Sequence, residues 1–246
     1  MIDILPTESE PIKLINDDCL NVLKNISDNS VDLILTDPPY NISGKGHLTK
    51  KGNNIVKADF GEWDYSFNPN DYVKDMFRIL KDGGSFYTFT SDELFGKWVE
   101  ALDNNGFKRM KWMVWRKTNP VPSFRKVTYL TAGELIIFAI KPNDKIRHTF
   151  NFKTQKEMHN IMDSPICQTS GLKEKRFNHP TQKPIKIIKH LIEISSNEED
   201  IVLGPFLGSG TTAVACKQLK RKCLGIEISK EYFNISKKRL CQEVLM

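Results

Sequence analysis

Thr36-Asp37-Pro38-Pro39-Tyr40 places a carboxylate, a backbone carbonyl and an aromatic ring side by side, directly after the apolar run Val31-Asp-Leu-Ile-Leu35. Two consecutive prolines cannot continue a sheet ladder, so Asp37, Pro38, Pro39 and Tyr40 are held extended at the carboxyl end of a predicted strand. Open α/β sheets bind their ligands at that end. An aromatic amine is a poor nucleophile because its lone pair is delocalised into the ring. Acceptors that bond its hydrogens localise the pair, and the Asp37 carboxylate and the Pro38 carbonyl are two such acceptors. Tyr40 can stack on a base rotated out of a duplex, which chemistry on a base edge requires. These four are the candidate catalytic residues. The plainer reading of the same residues is a strand-ending turn capped by an Asp.

Gly204-Pro-Phe-Leu-Gly-Ser-Gly-Thr-Thr212 has the spacing of a ligand-cradling loop between a strand and a helix. Gly208 and Gly210 allow close backbone approach, and Thr211 and Thr212 are expected to cap the following helix. No Gly-Lys-Ser/Thr follows, so this is not a phosphate-binding P-loop. Glu227, about 20 residues further on at the end of the next predicted strand, is where an acidic residue bonds ribose hydroxyls in such folds. Loop and Glu227 together imply an adenosine-like cofactor. Alone, Glu227 reads as a surface carboxylate.

The elements that must position these residues alternate. Ser30–Thr36 reads as a strand, Asp71–Leu80 as a helix, Lys81-Asp-Gly-Gly84 as a turn and Gly84–Phe89 as a strand. Near the C-terminus Ile201–Leu203, Thr211–Leu219 and Lys222–Ile228 repeat strand, helix, strand. Trp112–Trp115 and Glu134–Ile140 suggest an antiparallel hairpin at the sheet edge, joined by Arg116 to Gly133. The expected fold class is α/β, a mostly parallel twisted sheet. From Lys141 to Lys183 periodicity fades and polar and basic residues dominate.

Composition sets broad bounds. A chain of 246 residues with 39% hydrophobic and 27% charged residues is an ordinary globular protein. Its net charge of +6 leans toward a polyanionic partner. No apolar stretch approaches the roughly 18 residues of a membrane span, and no signal-type segment opens the chain, so a cytoplasmic location without membrane contact is expected. Five cysteines without a C-x-x-C pair read as reduced structural thiols, not as a zinc site or disulfide framework. Cys167 lacks the adjacent Pro that a cytosine-C5 nucleophile would have.

Asp37-Pro-Pro-Tyr40 upstream of Phe206-Leu-Gly-Ser-Gly-Thr211, with His179-Pro-Thr-Gln-Lys-Pro184 between them, resembles the amino-methyltransferases of restriction and modification systems. The catalytic motif precedes the cofactor motif, as in the circularly permuted beta class. The resemblance implies a Rossmann-like S-adenosylmethionine-dependent methyltransferase fold. It also implies a site-specific DNA methyltransferase that methylates adenine N6 by direct in-line transfer, without a metal or covalent enzyme intermediate. Its halves would be 1–140, carrying the catalytic motif, and 179–246, carrying the cofactor motif, with 141–178 as a target-recognition insertion.

By the same resemblance Asp37 accepts from the amino group, and Phe206, Gly208, Ser209, Gly210 and Thr211 line the methionine part of the cofactor. Glu227 holds the ribose, Asp18 in Ile15–Leu20 sits near the adenine ring, and Thr181, Gln182 and Lys183 close over the methionine end. Asp18 could equally be a plain helix cap, and Pro184 the first turn of a helix. Asp in the tetrapeptide favours adenine over cytosine N4, which needs the same chemistry. Gly204 stands where relatives commonly carry an Asp beside the cationic cofactor. That departure keeps a catalytically weak DNA-binding relative as an alternative; an RNA or protein amino-methyltransferase is another.

Candidate DNA-binding residues are Lys45, Arg116, Lys117, Asn119, Arg125 and Lys126. Most of them belong to a basic group around Trp112, Trp115 and Phe124, which suits phosphate contact and base stacking. The segment Trp115–Arg125 resembles members that methylate GATC or GANTC sites. Lys45–Lys57 reads as a loop that orders over the site when DNA binds. A cognate endonuclease and a homodimer are further partners the resemblance implies.

Overall fold

A computed structural model describes residues 4–41, 48–51, 54–57, 66–122, 126–127, 129–145, 147–168, 174, 177 and 179–242, with backbone alone at 48–51 and 54–57. The first half runs β1 (Ile12–Ile15), α1 (Cys19–Leu23), β2 (Val31–Thr36), β3 (Leu48–Lys51), β4 (Asn54–Lys57), α2 (Asn70–Ile79), β5 (Leu80–Thr90) and α3 (Asp92–Asn104). The second half runs β6 (Lys108–Lys117), β7 (Gly133–Ile140), β8 (Ile161–Ser164), α4 (Ile185–Ser195), β9 (Ile201–Gly204), α5 (Thr211–Gln218), β10 (Lys222–Ile226) and α6 (Lys230–Gln242).

Eight strands form one sheet in the order β1-β10-β9-β2-β5-β7-β6-β8. The first five are mutually parallel, β7 is antiparallel to β5 and to β6, and β8 is parallel to β6. This is the expected mostly parallel α/β sheet. Because successive strand residues face opposite sides, Leu33 and Leu35 of β2 belong to one core and Ile34 to the other. Both sides are covered, so the strand reads as a continuous apolar run. One core packs α1, α2 and α3, including Val73, Met76, Ile79 and Trp98, against the sheet. The other packs Ile187, Ile188, Leu191 and Ile192 of α4 with Ala213 and Cys216 of α5.

Local chemistry fixes the helix starts. Ser91 accepts from the Leu94 amide at 3.3 Å and opens α3, with Asp92 and Glu93 in its first turn. Pro184 does mark a helix start, but as the extended N-cap before α4 and not in its first turn. α5 starts differently from expectation. Its N-cap is Gly210 at φ 84° with no side-chain cap, and the Thr211 hydroxyl is turned to other partners.

Three further details depart from the sequence reading. Lys81–Gly84 is not a turn between elements but a bulge inside β5: Val31 pairs with Leu80 while Leu33 pairs with Ser85. The Gly83 amide donates to the Lys141 carbonyl at 2.8 Å, which anchors the bulge to the end of β7. The β6–β7 hairpin is not the edge, since β8 from the featureless segment pairs outside it. Residues 48–57, expected as an unpaired loop, contain the antiparallel pair β3–β4, whereas Lys45, Gly44, Gly46 and Gly52 lie outside the described residues. No helix among the described residues is long and apolar enough to cross a membrane.

Candidate active site

β1, β2, β9 and β10 all end at the same edge of the sheet, and their following loops line one cleft of about 280 Å³. Ligands of open α/β sheets sit in such a crevice. Asp18, Asp37, Pro38, Pro39 and Tyr40 line it from one half of the chain, and Thr181, Lys183, Phe206, Gly208, Ser209, Thr211 and Glu227 from the other. Of the predicted cofactor residues only Gly210 does not line it. Its role is to turn the chain into α5.

The glycine loop is held from beneath. Glu227 Oε2 accepts from the Gly208 amide at 2.7 Å and Oε1 from the Ser229 amide at 2.8 Å. Burial pushes the Glu227 carboxyl above the usual carboxylate range, against the pull of the backbone amides of Ser229, Gly208 and Ile228. At Gly208, φ is +55° and a Cβ would lie 3.0 Å from His179 Nε2, so any other residue there would be strained and would press on the His179 ring that covers the loop. Asp18 both caps α1, accepting from the Leu20 amide at 2.9 Å, and lines the cleft, so its two sequence readings are compatible.

Behind the loop Arg239, 3% exposed, donates to Thr211 Oγ1 at 2.8 Å and pairs with Glu174 at 3.3 Å. Glu174 also accepts from the Ile185 amide at 2.7 Å, tying the start of α4 to α6. Sequence reading missed both residues, because a buried Arg in a polar helix carries no local signal. Cys167 is a buried thiol pushed up to about 12, first by burial and then by Glu174, as an inert structural cysteine should be.

The catalytic-motif half is a charged cluster. Asp37 Oδ2 meets Lys183 Nζ at 2.6 Å, and Asp37 Oδ1 accepts from the Tyr40 hydroxyl at 3.0 Å. Glu134 on β7 lies 3.3 Å from Lys183 Nζ, 3.2 Å from the Tyr40 hydroxyl and 2.9 Å from Lys117 Nζ. Lys183 thus lines the cleft while its ammonium is paired with both carboxylates. Burial pushes the Asp37 carboxyl up; Lys183 opposes this and Glu134 reinforces it. Glu134 was not singled out in the sequence. An acidic residue opening an apolar strand gives no hint of partners 17 and 49 positions away, or 94 away at Tyr40.

Of the predicted DNA-binding residues, the described ones, Arg116, Lys117, Asn119 and Lys126, lie outside the cleft lining, and Lys45 and Arg125 lie outside the described residues. Arg116 forks onto Asp163 of β8, with Nε to Oδ1 at 2.7 Å, and Arg109 pairs with Asp103. Lys117 is tied to Glu134, and Asn119 Oδ1 accepts from the Ile166 amide at 2.7 Å. Trp115 is buried with its indole N–H on the Ser164 carbonyl, whereas Trp112 is 54% exposed. The basic-aromatic group is thus a mixture: Arg109 and Arg116 stand in exposed ion pairs, Lys117 is in a partly buried one, and Trp115 belongs to the core. Lys126 is exposed at φ 53°; Phe124 and Arg125 lie outside the described residues.

The residues fit S-adenosylmethionine. A buried carboxylate suited to a ribose diol, an aromatic wall of Phe206 and Tyr72, and the amide end of α5 share one cleft. Comparison with known proteins agrees. A family model described as DNA methylase matches residues 31–238. The chain is 36% identical over 244 residues to the type II methyltransferase M2.LlaDCHI of Lactococcus lactis subsp. cremoris, covering 95% of this chain and 90% of that one. To M2.DpnII of Streptococcus pneumoniae it is 33% identical, covering 92% and 88%. The solved M1.HpyAVI–SAM complex superposes with TM-score 0.70 at 30% identity, covering 93% of this chain and 100% of that one. With the catalytic and cofactor motifs meeting in one cleft, the chain belongs to the N6/N4 DNA methylase family, S-adenosylmethionine-dependent enzymes whose substrate is DNA.

Proposed function

We propose that this enzyme methylates the N6 amino group of adenine at a specific DNA site, as a beta-class member of a restriction and modification system. The observation that carries this reading is the meeting of Asp37-Pro-Pro-Tyr40 with the glycine loop in one cleft. S-Adenosylmethionine supplies a methyl group on a sulfonium, which departs with its electron pair as a neutral thioether. Asp37 and the Pro38 carbonyl accept the two amino hydrogens of a flipped adenine stacked on Tyr40. With the cofactor bound, the amine lone pair would take up the methyl group as the thioether leaves, and the surplus amine proton would pass to Asp37. Glu227 holds the ribose, Asp18 lies near the adenine ring, and Phe206, Gly208, Ser209 and Thr211 hold the methionine part, with Thr181 closing over it.

Residues 1–140 and 179–246 act as the catalytic and cofactor halves. Residues 141–178, with the Arg116–Gly133 connection, read the target; Lys45, Arg116, Asn119, Arg125 and Lys126 are the DNA-facing candidates. A cytoplasmic enzyme working beside an endonuclease of the same site, and as a homodimer, is consistent with that setting.

Asp37→Ala tests the assignment. Methyl transfer should fall by about 10²-fold or more, in line with loss of a proton-accepting group, while cofactor affinity by calorimetry stays near wild type. Undiminished transfer would refute the role given to Asp37.

A further inference from the structure

One ammonium serves two carboxylates at the heart of the cleft. Lys183, 5% exposed, lies 2.6 Å from Asp37 and 3.3 Å from Glu134. The Tyr40 hydroxyl is shared in the same way, 3.0 Å from Asp37 and 3.2 Å from Glu134. The other oxygen of Glu134 meets Lys117 at 2.9 Å. The charged and titratable groups around Asp37 are therefore Tyr40 from its own loop, Lys183 from the segment before α4, Glu134 from β7 and, through Glu134, Lys117 from β6. Two carboxylates and two ammonium groups leave the cluster neutral.

A buried carboxylate that held Lys183 alone would be a poor acceptor, since a close cation strongly favours its ionised, unprotonated form. Resting on the reading that Asp37 accepts from the target amine, we propose that Glu134 is a positioning residue. It sets the acceptor strength of Asp37 by competing with it for Lys183 and the Tyr40 hydroxyl, while Lys117 keeps Glu134 charged. The electrostatics agree. Burial raises the Asp37 carboxyl, Lys183 lowers it and Glu134 raises it again. Burial alone would raise Glu134 too, but Lys183 and Lys117 hold it below the usual carboxylate range.

The test is single-turnover methyl transfer into DNA across the acid and neutral pH range, for wild type, Glu134→Gln and Lys117→Gln, with cofactor binding by calorimetry alongside. Transfer requires ionised Asp37, so the rate is lost as pH falls through its titration. Glu134→Gln removes a neighbouring negative charge and leaves Lys183 to Asp37 alone. Its acid limb should move to lower pH, and its plateau should drop by about tenfold or more. Lys117→Gln leaves two carboxylates sharing one ammonium, so its acid limb should move to higher pH. Glu134→Asp, which keeps the charge, should restore much of the wild-type profile. Cofactor affinity should stay near wild type throughout.

Limbs that coincide with wild type, or that move in the same direction in both variants, overturn the proposal, because a merely structural role predicts no opposed shifts. If Glu134→Gln does not fold, the Lys117→Gln limb decides alone: upward supports the proposal and unmoved overturns it. A wild-type enzyme that places no methyl group on a DNA amine would overturn the underlying reading of Asp37. Wild-type methylation with unmoved limbs overturns only the role of Glu134.

Discussion

Gly204 ends β9 beside the cleft-lining Pro205, buried, and a Cβ there would meet Thr212 at 3.5 Å and Leu207 at 3.8 Å, ordinary van der Waals contact. The family resemblance puts a carboxylate at this position, near the positive charge of the cofactor. The carboxylates that do line the cleft are partly engaged: Asp18 with the Leu20 amide, Asp37 with Lys183, and Glu227 with the Gly208 and Ser229 amides. Gly204→Asp should therefore tighten S-adenosylmethionine binding several-fold by calorimetry, whereas weakened binding would show that the position does not face the sulfonium. Asp37, Tyr40 and Glu227 were legible in the sequence because local backbone constraints reveal them: a double proline after a strand, and a fixed spacing from a glycine loop. Glu134, Arg239 and Glu174 were not. Their partners come from distant elements, and no spacing in the chain encodes a contact across the sheet.

At the scale of elements, the turn from the glycine loop into α5 is the most exacting piece of backbone. Gly210 sits at φ +84°, and a Cβ there would lie 2.7 Å from Ser236 Cβ on α6. Gly210→Ala should cost about 1–2 kcal/mol from left-handed strain alone, with the clash added, seen as a lower urea midpoint. Cofactor affinity should fall with it, because Arg239 holds Thr211 and Ser209 of the same turn. An unchanged midpoint and affinity would mean that α6 yields at no cost. Among the described elements, strands β2, β5, β6, β7, β9 and β10 and helices α2 and α5 were legible from periodicity. The β5 bulge was misread because its Asp-Gly-Gly signals a turn equally well, and β8 was missed because four residues, half of them exposed, leave no pattern above their polar surroundings.

Taken as a whole, the molecule brings the Lys117 end of β6 and the Gly133 end of β7 to the sheet edge that holds Asp37, whereas Lys141 and Asn151 lie at the opposite end, against Gly83 and the last turn of α4. β7 runs antiparallel to β5, so the Lys117–Gly133 connection emerges beside Asp37 and Tyr40. Val127 and Tyr129 on that connection are 79% and 97% exposed. The net charge of +6 suits a polyanionic partner. The most direct test of the account is to incubate the enzyme with radiolabelled S-adenosylmethionine and unmethylated genomic DNA, digest to nucleosides and identify the labelled species. The account predicts label in N6-methyladenine. Label in N4-methylcytosine, or none beside an active control enzyme, would contradict it.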